Sequence, residues 1–281
     1  MPRFVEILKL IRFVNCLLAM VGVGVGAYMT WLSPSYYGPL VAAAAAFLIC
    51  AGGNIINDLV DIKIDRVNRP DRVLVREALS KRYAVVLAVL VNIAAVLLAL
   101  AVNLTITTIA LVVIALLLLY NLWLKRVPLA GNVVIAALGG LTFMTGGFAI
   151  DYVMALTLPG PLIPAAYAFF FHLVREIIKD VEDIEGDRRV GVKTLPQVIG
   201  VRNSLSLALL LFLILVILTY LPILAGWFGA YYQVITVYII DLPLLLLLIF
   251  IWGNPTAPML RIGSLSLKAG MGLGLVALIV A

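Results

Sequence analysis

Charged side chains are scarce in this chain, and their scarcity decides its class. Only 12% of the 281 residues are charged and 64% are apolar, whereas about a quarter of the residues in a soluble domain are charged. Apolar runs recur along the whole length, and each is long enough to cross a hydrocarbon core about 30 Å thick. The composition therefore excludes a soluble enzyme and predicts an all-α, polytopic membrane protein.

Cysteine and histidine are almost missing. The two cysteines, Cys16 and Cys50, are single residues among apolar neighbours, so the pattern predicts neither a disulfide framework nor a zinc site. The one histidine, His172, is a candidate general base. Its position near the end of an apolar run fits packing at the membrane interface at least as well.

Nine apolar runs are predicted to cross the membrane as helices around a central cavity. They cover residues 10–32, 38–57, 83–102, 105–124, 130–150, 157–177, 203–224, 230–252 and 264–281. All 20 Lys and Arg residues lie in the N-terminal segment or in and beside the connections after the second, fourth, sixth and eighth runs. Because basic residues mark the cytoplasmic side, we expect a multi-pass cell-membrane protein with its N-terminus in the cytoplasm. The spread of these residues over membrane-proximal loops is against nucleic-acid binding.

Acidic residues are concentrated in two segments, Asn57–Asp65 and Lys179–Asp187, and only six of the 14 in the chain lie elsewhere. The main carboxylates of each segment are spaced by three or four residues, which places them on one face of a helix. Packing like charges together is costly unless a cation lies between them. We expect both acidic loops at the cytoplasmic mouth of the cavity, where they would hold divalent cations and a diphosphate.

The ligand type favours magnesium. Oxygen ligands without histidine or cysteine suit Mg²⁺, which usually binds through a few carboxylates together with substrate phosphates. The candidate metal ligands are Asp58, Asp61, Asp65, Asp180, Asp183 and Asp187. The alternative is that both segments are solvated helix ends, whose Asp–Lys pairs are worth roughly a few tenths of a kcal/mol each.

The two halves of the chain, about 1–125 and 126–281, are alike in outline. In each half the acidic segment begins at the end of an even-numbered run and is predicted to stay helical until Pro70, or Gly186 and Gly191, ends it. This arrangement indicates a weak internal duplication within a single transmembrane domain.

The paired motifs resemble those of the UbiA superfamily of intramembrane prenyltransferases. They read Asn57-Asp58-x-x-Asp61-x-x-x-Asp65 and Lys179-x-x-x-Asp183-x-x-x-Asp187. Further stretches that fit the family are Arg12-x-x-Asn15, Asn68-Arg69-Pro70-Asp71-Arg72, Leu124-Lys125-Arg126-Val127-Pro128 with Gly131-Asn132, and Gly191-Val192-Lys193-Thr194-Leu195-Pro196. The resemblance covers most of the chain and agrees with a nine-helix fold.

The resemblance implies a Mg²⁺-dependent enzyme that ionises an allylic diphosphate. The implied catalytic metal ligands are Asp61, Asp65, Asp183 and Asp187, with Asp58 and Asp180 in support. The implied substrate-binding residues are Asn15, Asn57, Arg72, Tyr120, Lys125, Lys179 and Lys193. The implied partners are an isoprenyl diphosphate donor, a lipid or aromatic acceptor and membrane lipid.

Two departures bear on the acceptor. Arg175 stands where many aromatic-acceptor members have Tyr, and Arg72-Val73-Leu74-Val75 stands where many have R-P-[LI]-P. The segment Arg175–Asp187 is most similar to the branch that makes archaeal ether lipids. We therefore expect transfer of a geranylgeranyl group from geranylgeranyl diphosphate to the free hydroxyl of geranylgeranylglyceryl phosphate.

Two alternatives remain open. The first is an aromatic prenyltransferase of the same superfamily, acting on 4-hydroxybenzoate or a quinone precursor. The second is an ion transporter, against which the acidic residues lie at helix ends rather than in the middle of the membrane.

An apolar channel is expected to shield the allylic cation from water. Aromatic faces and soft side chains would stabilise a cation there, although the same residues also suit packing or lipid contact. The candidates are Tyr120, Phe143, Met144, Tyr167, Phe170 and Phe171. Asp241 is an acid inside the eighth run, followed by Pro243, and is either functional or part of a local break in the helix.

Overall fold

The computed structural model describes residues 3–30, 36–189 and 191–281, apart from the side chains of Asn68 and Arg189. Every regular element within these residues is a helix, and none is a strand. The prediction of an all-α fold is therefore confirmed.

The first of two compact units comprises residues 1–125 and 142–155. Its helices are α1 (Arg3–Leu10), α2 (Phe13–Tyr28), α3 (Tyr37–Val60), α4 (Ile62–Asn68), α5 (Lys81–Leu100), α6 (Leu104–Leu122) and the last part of α7 (Ala130–Phe148). Side-chain caps fix where two of them begin. Ser80 accepts a hydrogen bond from the Tyr83 amide over 3.2 Å, and Asn103 accepts one from the Ile106 amide over 2.8 Å. Such caps satisfy amide groups that have no partner within the helix.

The second unit comprises residues 126–141 and 156–281. It contains the first part of α7 and the helices α8 (Leu162–Glu182), α9 (Ile184–Arg189), α10 (Leu195–Ile199), α11 (Val201–Leu224), α12 (Ala230–Gln233), α13 (Leu242–Gly253) and α14 (Ala257–Ile279). A π-helical segment, Val234–Asp241, joins α12 to α13 without a break.

The described residues include seven helices that are long and apolar enough to cross a membrane, or eight if α1 and α2 form one span with a 55° bend. This makes the chain a multi-pass membrane protein. The predicted count of nine is not confirmed, because α8 is not among these helices. It covers the predicted run 157–177, but its last two turns contain charged residues, among them Arg175, Glu176 and Lys179.

Glycines let α2 and α7 approach closely within the first unit. A Cβ on Gly26 would lie 1.9 Å from the carbonyl oxygen of Phe143, and a Cβ on Gly146 would lie 1.9 Å from that of Val23. Only a residue without a side chain fits at either position. This close approach places the buried Phe143 beside α2, and the next residue, Met144, is also buried.

Candidate active site

The two acidic segments share one backbone feature, a break at the middle aspartate. α3 ends at Val60 and α4 starts at Ile62, and Asp61 between them has φ −90° and ψ 7°. α8 ends at Glu182 and α9 starts at Ile184, and Asp183 between them has φ −92° and ψ 3°. The expectation that each segment forms one continuous helix is therefore wrong.

Local hydrogen bonds nevertheless carry the helical path through each break. The Asp61 amide donates to the Asn57 carbonyl over 2.9 Å, and the Asp65 amide donates to the Asp61 carbonyl over 2.8 Å. In the second unit the amides of Asp183 and Asp187 make the same pattern over 2.8 and 3.0 Å. The four-residue spacing predicted from the sequence is thus kept in the backbone of both segments.

Asp58 is the anchor of the first acidic segment. Its side chain is only 2% exposed. Its Oδ1 accepts from Arg12 Nη2 over 2.7 Å and from Arg72 Nη1 over 2.8 Å. Its Oδ2 is buried and has no hydrogen-bond partner among the described residues. One carboxylate therefore orients two guanidinium groups. Burying charged groups is costly unless they are paired with opposite charges.

The loop that carries Arg72 is fixed by apolar packing. Val73 and Leu74 are almost fully buried and pack in one cluster with Leu10 of α1, Ile55 of α3 and Ile62 of α4. Burying such side chains contributes about 1.5 to 3 kcal/mol each. The burial of Val73 and Leu74 thus fixes the position of the adjacent Arg72.

The other two carboxylates of this segment differ in their surroundings. Asp61 pairs with Lys125, and both side chains are largely buried. Burial raises the pKa of the Asp65 carboxyl, and the charges of Asp58 and Asp61 raise it further, while Arg72 opposes them. A carboxylate in such a place gains from an added cation.

The second acidic segment and the turn of α8 before it make a different set of polar contacts. Glu176 accepts from Arg175 Nη1 over 2.8 Å and from Lys179 Nζ over 3.1 Å. Asn132 of α7 donates to Asp180 Oδ2 over 2.9 Å. Lys179, a predicted phosphate contact, is therefore tethered by a carboxylate one turn earlier on α8.

The remaining predicted residues are distributed over both units. Asn15, Asn57 and Tyr120 are half-buried in the first unit, and Lys193 is exposed in the second. Among the channel candidates of the second unit, Tyr167 and Phe171 are buried, and Phe170 is half-buried with its ring edge against Phe169. His172 lies against Gly139, where a Cβ would come within 2.2 Å of the imidazole. The prediction for Asn68 concerns a side chain outside the described residues.

Asp241 belongs to a buried polar cluster of the second unit. Its Oδ2 accepts from Thr219 Oγ1 over 2.7 Å. Nearby, the Tyr232 hydroxyl lies 3.1 Å from both the Tyr167 hydroxyl and the Thr219 carbonyl oxygen, and its one proton can be donated to either. Tyr167 in turn donates to the Leu218 carbonyl over 3.2 Å, which Pro222 leaves without its helical partner. Tyr167 is held here by polar contacts that the aromatic-channel hypothesis did not anticipate.

The carboxylate oxygens of the site suit a hard cation, provided that a substrate supplies further ligands. Among the residues that the structure describes, no three His, Cys, Asp or Glu side chains form a group that could hold a metal ion. Asp61 and Asp65 offer oxygen ligands one turn apart, and the burial of Asp65 favours an added positive charge. This suits Mg²⁺, which takes much of its coordination from water and phosphate.

Several contributors were not predicted as site residues. Arg12 and Asn132 belong to stretches that fit the family, and Glu176 lies one turn before the second acidic segment. A charged or amide side chain inside or beside an apolar run is the signal that could have identified all three. Their partners, 46 residues away for Arg12 and 48 for Asn132, could not be derived from spacing.

Comparisons with known proteins agree with this arrangement. The sequence profile of the UbiA prenyltransferase family matches residues 16–262. A relative from Thermococcus sibiricus, named digeranylgeranylglyceryl phosphate synthase, is 39% identical over 235 residues, which is 83% of this chain and 81% of the relative. The match to a prenyltransferase family favours an enzyme over the transporter alternative.

Solved structures show the same fold. One that is described as concerning digeranylgeranylglyceryl phosphate synthase in membranes has a TM-score of 0.75 and 31% identity, with 100% of this chain and 98% of the other covered. A UbiA homolog from Archaeoglobus fulgidus, described as bound to GPP and Mg²⁺, has a TM-score of 0.63 and 20% identity, with 98% and 100% covered. This chain belongs to the UbiA prenyltransferase family.

Proposed function

We propose that this protein transfers a geranylgeranyl group from geranylgeranyl diphosphate to the free hydroxyl of geranylgeranylglyceryl phosphate, in membrane ether-lipid biosynthesis. The observation that carries the proposal is the similarity to digeranylgeranylglyceryl phosphate synthase, at 39% identity over most of both chains. The cation arrangement around Asp58 and Asp61 supports the use of a diphosphate donor.

Arg72 and Lys125 are the proposed contacts to the diphosphate in the first unit. Each is fixed by a carboxylate, Arg72 by Asp58 and Lys125 by Asp61. Fixed cations stabilise charge that develops on a leaving group better than mobile ones, because they need no reorganisation during the reaction. Asn15, Asn57 and Tyr120 are proposed to contact the donor in the same unit.

Mg²⁺ is the proposed cofactor, with Asp61 and Asp65 as ligands in the first unit and Asp183 and Asp187 in the second. When bound, it neutralises negative charge on the departing diphosphate. Asp58 is proposed to support the site by orienting Arg12 and Arg72. Asp180, which accepts from Asn132, is likewise proposed to support the site.

Lys179 and Lys193 are the proposed phosphate contacts of the second unit. Glu176 holds Lys179 and Arg175 at the end of α8, so this turn presents cations whose positions are constrained. The chain's apolar helices exclude water from the allylic cation. An alcohol needs little activation against such a cation, and we assign no catalytic role to His172 or Asp241.

We also propose that the N-terminus and both acidic segments lie on the cytoplasmic side. The support is the distribution of Lys and Arg, which the alternate connections lack. The positive-inside rule then sets the orientation. The diphosphate head of the donor and Mg²⁺ would reach the acidic segments from that side.

The test uses the purified full chain in detergent or liposomes with labelled geranylgeranyl diphosphate. We expect label in a lipid product when geranylgeranylglyceryl phosphate is supplied with Mg²⁺, and none when EDTA is added. Label that appears only with 4-hydroxybenzoate would instead assign an aromatic acceptor. Metal flux without any incorporation would contradict the assignment as an enzyme.

A further inference from the structure

The two cysteines of the chain meet although the sequence keeps them far apart. Cys16 lies in α2 and Cys50 in α3, and the side-chain amide of Asn54 lies within hydrogen-bonding range of both sulfurs. Both are free cysteines; Cys16 is buried, and Cys50 is partly exposed. The sequence pattern predicted no site here, so the pairing is a product of the fold.

A break in the first helix pair creates the setting. Arg12 has φ 53°, a left-handed conformation that ends α1 and lets α2 start at Phe13. In a continuous helix the Ile11 carbonyl would accept from the Asn15 amide, but that amide bonds to the Arg12 carbonyl over 2.7 Å. The free Ile11 carbonyl accepts instead from Cys16 Sγ over 3.1 Å and from Asn54 Nδ2 over 2.9 Å.

Asn54 ties the two sulfurs together. Its Nδ2 lies 3.6 Å from Cys50 Sγ and 3.9 Å from Cys16 Sγ, within hydrogen-bonding range of both. Cys50, Asn54 and Asp58 are spaced by four residues, so they form one stripe of α3. The Arg12 guanidinium pairs with Asp58, four residues beyond Asn54 on this stripe. The fold thus places two sulfurs around one amide donor and close to a guanidinium group.

We propose that Cys16 and Cys50 form a two-sulfur binding site for a soft univalent metal cation, of which Cu⁺ is the biological representative. Thiolates are the ligands that select soft cations over Mg²⁺ or Ca²⁺. On binding, each thiol loses its proton to water and each sulfur bonds to the cation. Two thiolates and one univalent cation leave a single negative charge, which the Arg12 guanidinium offsets. A structural zinc site would need four ligands, and this site offers two sulfurs.

The site is independent of the proposed transfer reaction and is tested without an activity assay. The reduced full chain in detergent is titrated with Cu⁺ held by bicinchoninate, and loss of the coloured complex reports binding. We expect one cation per chain. Cys16→Ser and Cys50→Ser should each weaken binding on the order of 100-fold. The remaining sulfur then binds the cation alone, without a second ligand held at high effective concentration. Met20→Leu, which removes another sulfur from α2, is the matched control and should bind as the original chain does.

A second measurement guards against serine variants that fold poorly. Ag⁺, which does not change oxidation state here, is added to the original chain before N-ethylmaleimide, and intact mass counts the alkylated thiols. Protection of both thiols by one Ag⁺ per chain supports the site. Binding that is as tight in either single-cysteine variant as in the original chain overturns it, as do two cations per chain or a chain that purifies with a Cys16–Cys50 disulfide.

Discussion

Asp58 holds Arg72 over 2.8 Å through the same oxygen that binds Arg12. The carboxylate is buried, and each guanidinium is only partly exposed, so solvent screens these pairs weakly. Asp58 therefore sets the position of a cation that we assign to the diphosphate. This gives the first aspartate of the motif a task different from metal ligation.

Asp58→Asn should weaken donor binding more than it slows chemistry. The amide keeps the shape but loses the charge that orients two guanidinium groups, and breaking a buried pair costs about 3 to 5 kcal/mol. We expect kcat/KM to fall on the order of 100-fold, mostly through a higher KM for geranylgeranyl diphosphate. Steady-state kinetics measures this. Asp71→Asn, at an exposed acid of the same connection, should leave both constants unchanged, and an equal loss in the two variants would refute the anchor role.

Lys125→Met should also weaken binding of the diphosphate donor. It removes a cation that pairs with Asp61 and leaves a carboxylate without compensation. We expect the KM for the donor to rise at least about 10-fold, because a buried charge without a partner is costly. Lys125→Arg, which keeps the positive charge, should recover part of the affinity. The adjacent exposed Arg126 provides the control, Arg126→Met, which should have an unchanged KM. Normal kinetics in Lys125→Met would remove Lys125 from the site.

Asp65 should control the dependence on Mg²⁺. Asp65→Asn is expected to raise the Mg²⁺ concentration for half-maximal transfer, because one oxygen ligand loses its charge. Burial raises the pKa of this carboxyl, so a proton competes with the metal at a higher pH than for an exposed aspartate. In the original chain the half-saturating Mg²⁺ concentration should therefore increase as pH falls. An Mg²⁺ requirement that is identical in the variant would contradict ligation by Asp65.

Gly26→Ala should destabilise the first unit. The new methyl group would lie 1.9 Å from the Phe143 carbonyl oxygen, so α2 and α7 must separate, and such overpacking costs about 1 to 3 kcal/mol or more. We expect a lower thermal midpoint and aggregation in size-exclusion chromatography. Gly24→Ala, on the same helix with nothing within 4 Å of the added carbon, should be tolerated. Equal midpoints for the two variants would show that the close approach is not required.

The sequence was a good guide to local features. The four-residue spacing of the aspartates could be predicted because it is a local property of helices. The break at Asp61 and Asp183 could not, since the residues around it are all compatible with helix and the tertiary setting decides their conformation. The charged turn of α8 that contains Glu176 also explains why α8 is not among the helices that are apolar enough to cross a membrane.

Long-range pairings were beyond the sequence. Arg12 meets Asp58 only because its own left-handed backbone bends α1 away from α2, and no pattern predicts that conformation in an arginine. The same break frees the Ile11 carbonyl, which accepts from Cys16 and Asn54. The spacing of the two cysteines in the sequence does not predict that they pair.

The central claim is that the chain prenylates a glycerol lipid, and one competition experiment tests it most directly. Purified protein receives geranylgeranyl diphosphate, Mg²⁺ and equal amounts of geranylgeranylglyceryl phosphate and 4-hydroxybenzoate, and mass spectrometry identifies the products. We predict a product with a second geranylgeranyl group on the glycerol phosphate and no prenylated benzoate. Prenylated benzoate as the sole product would contradict the account.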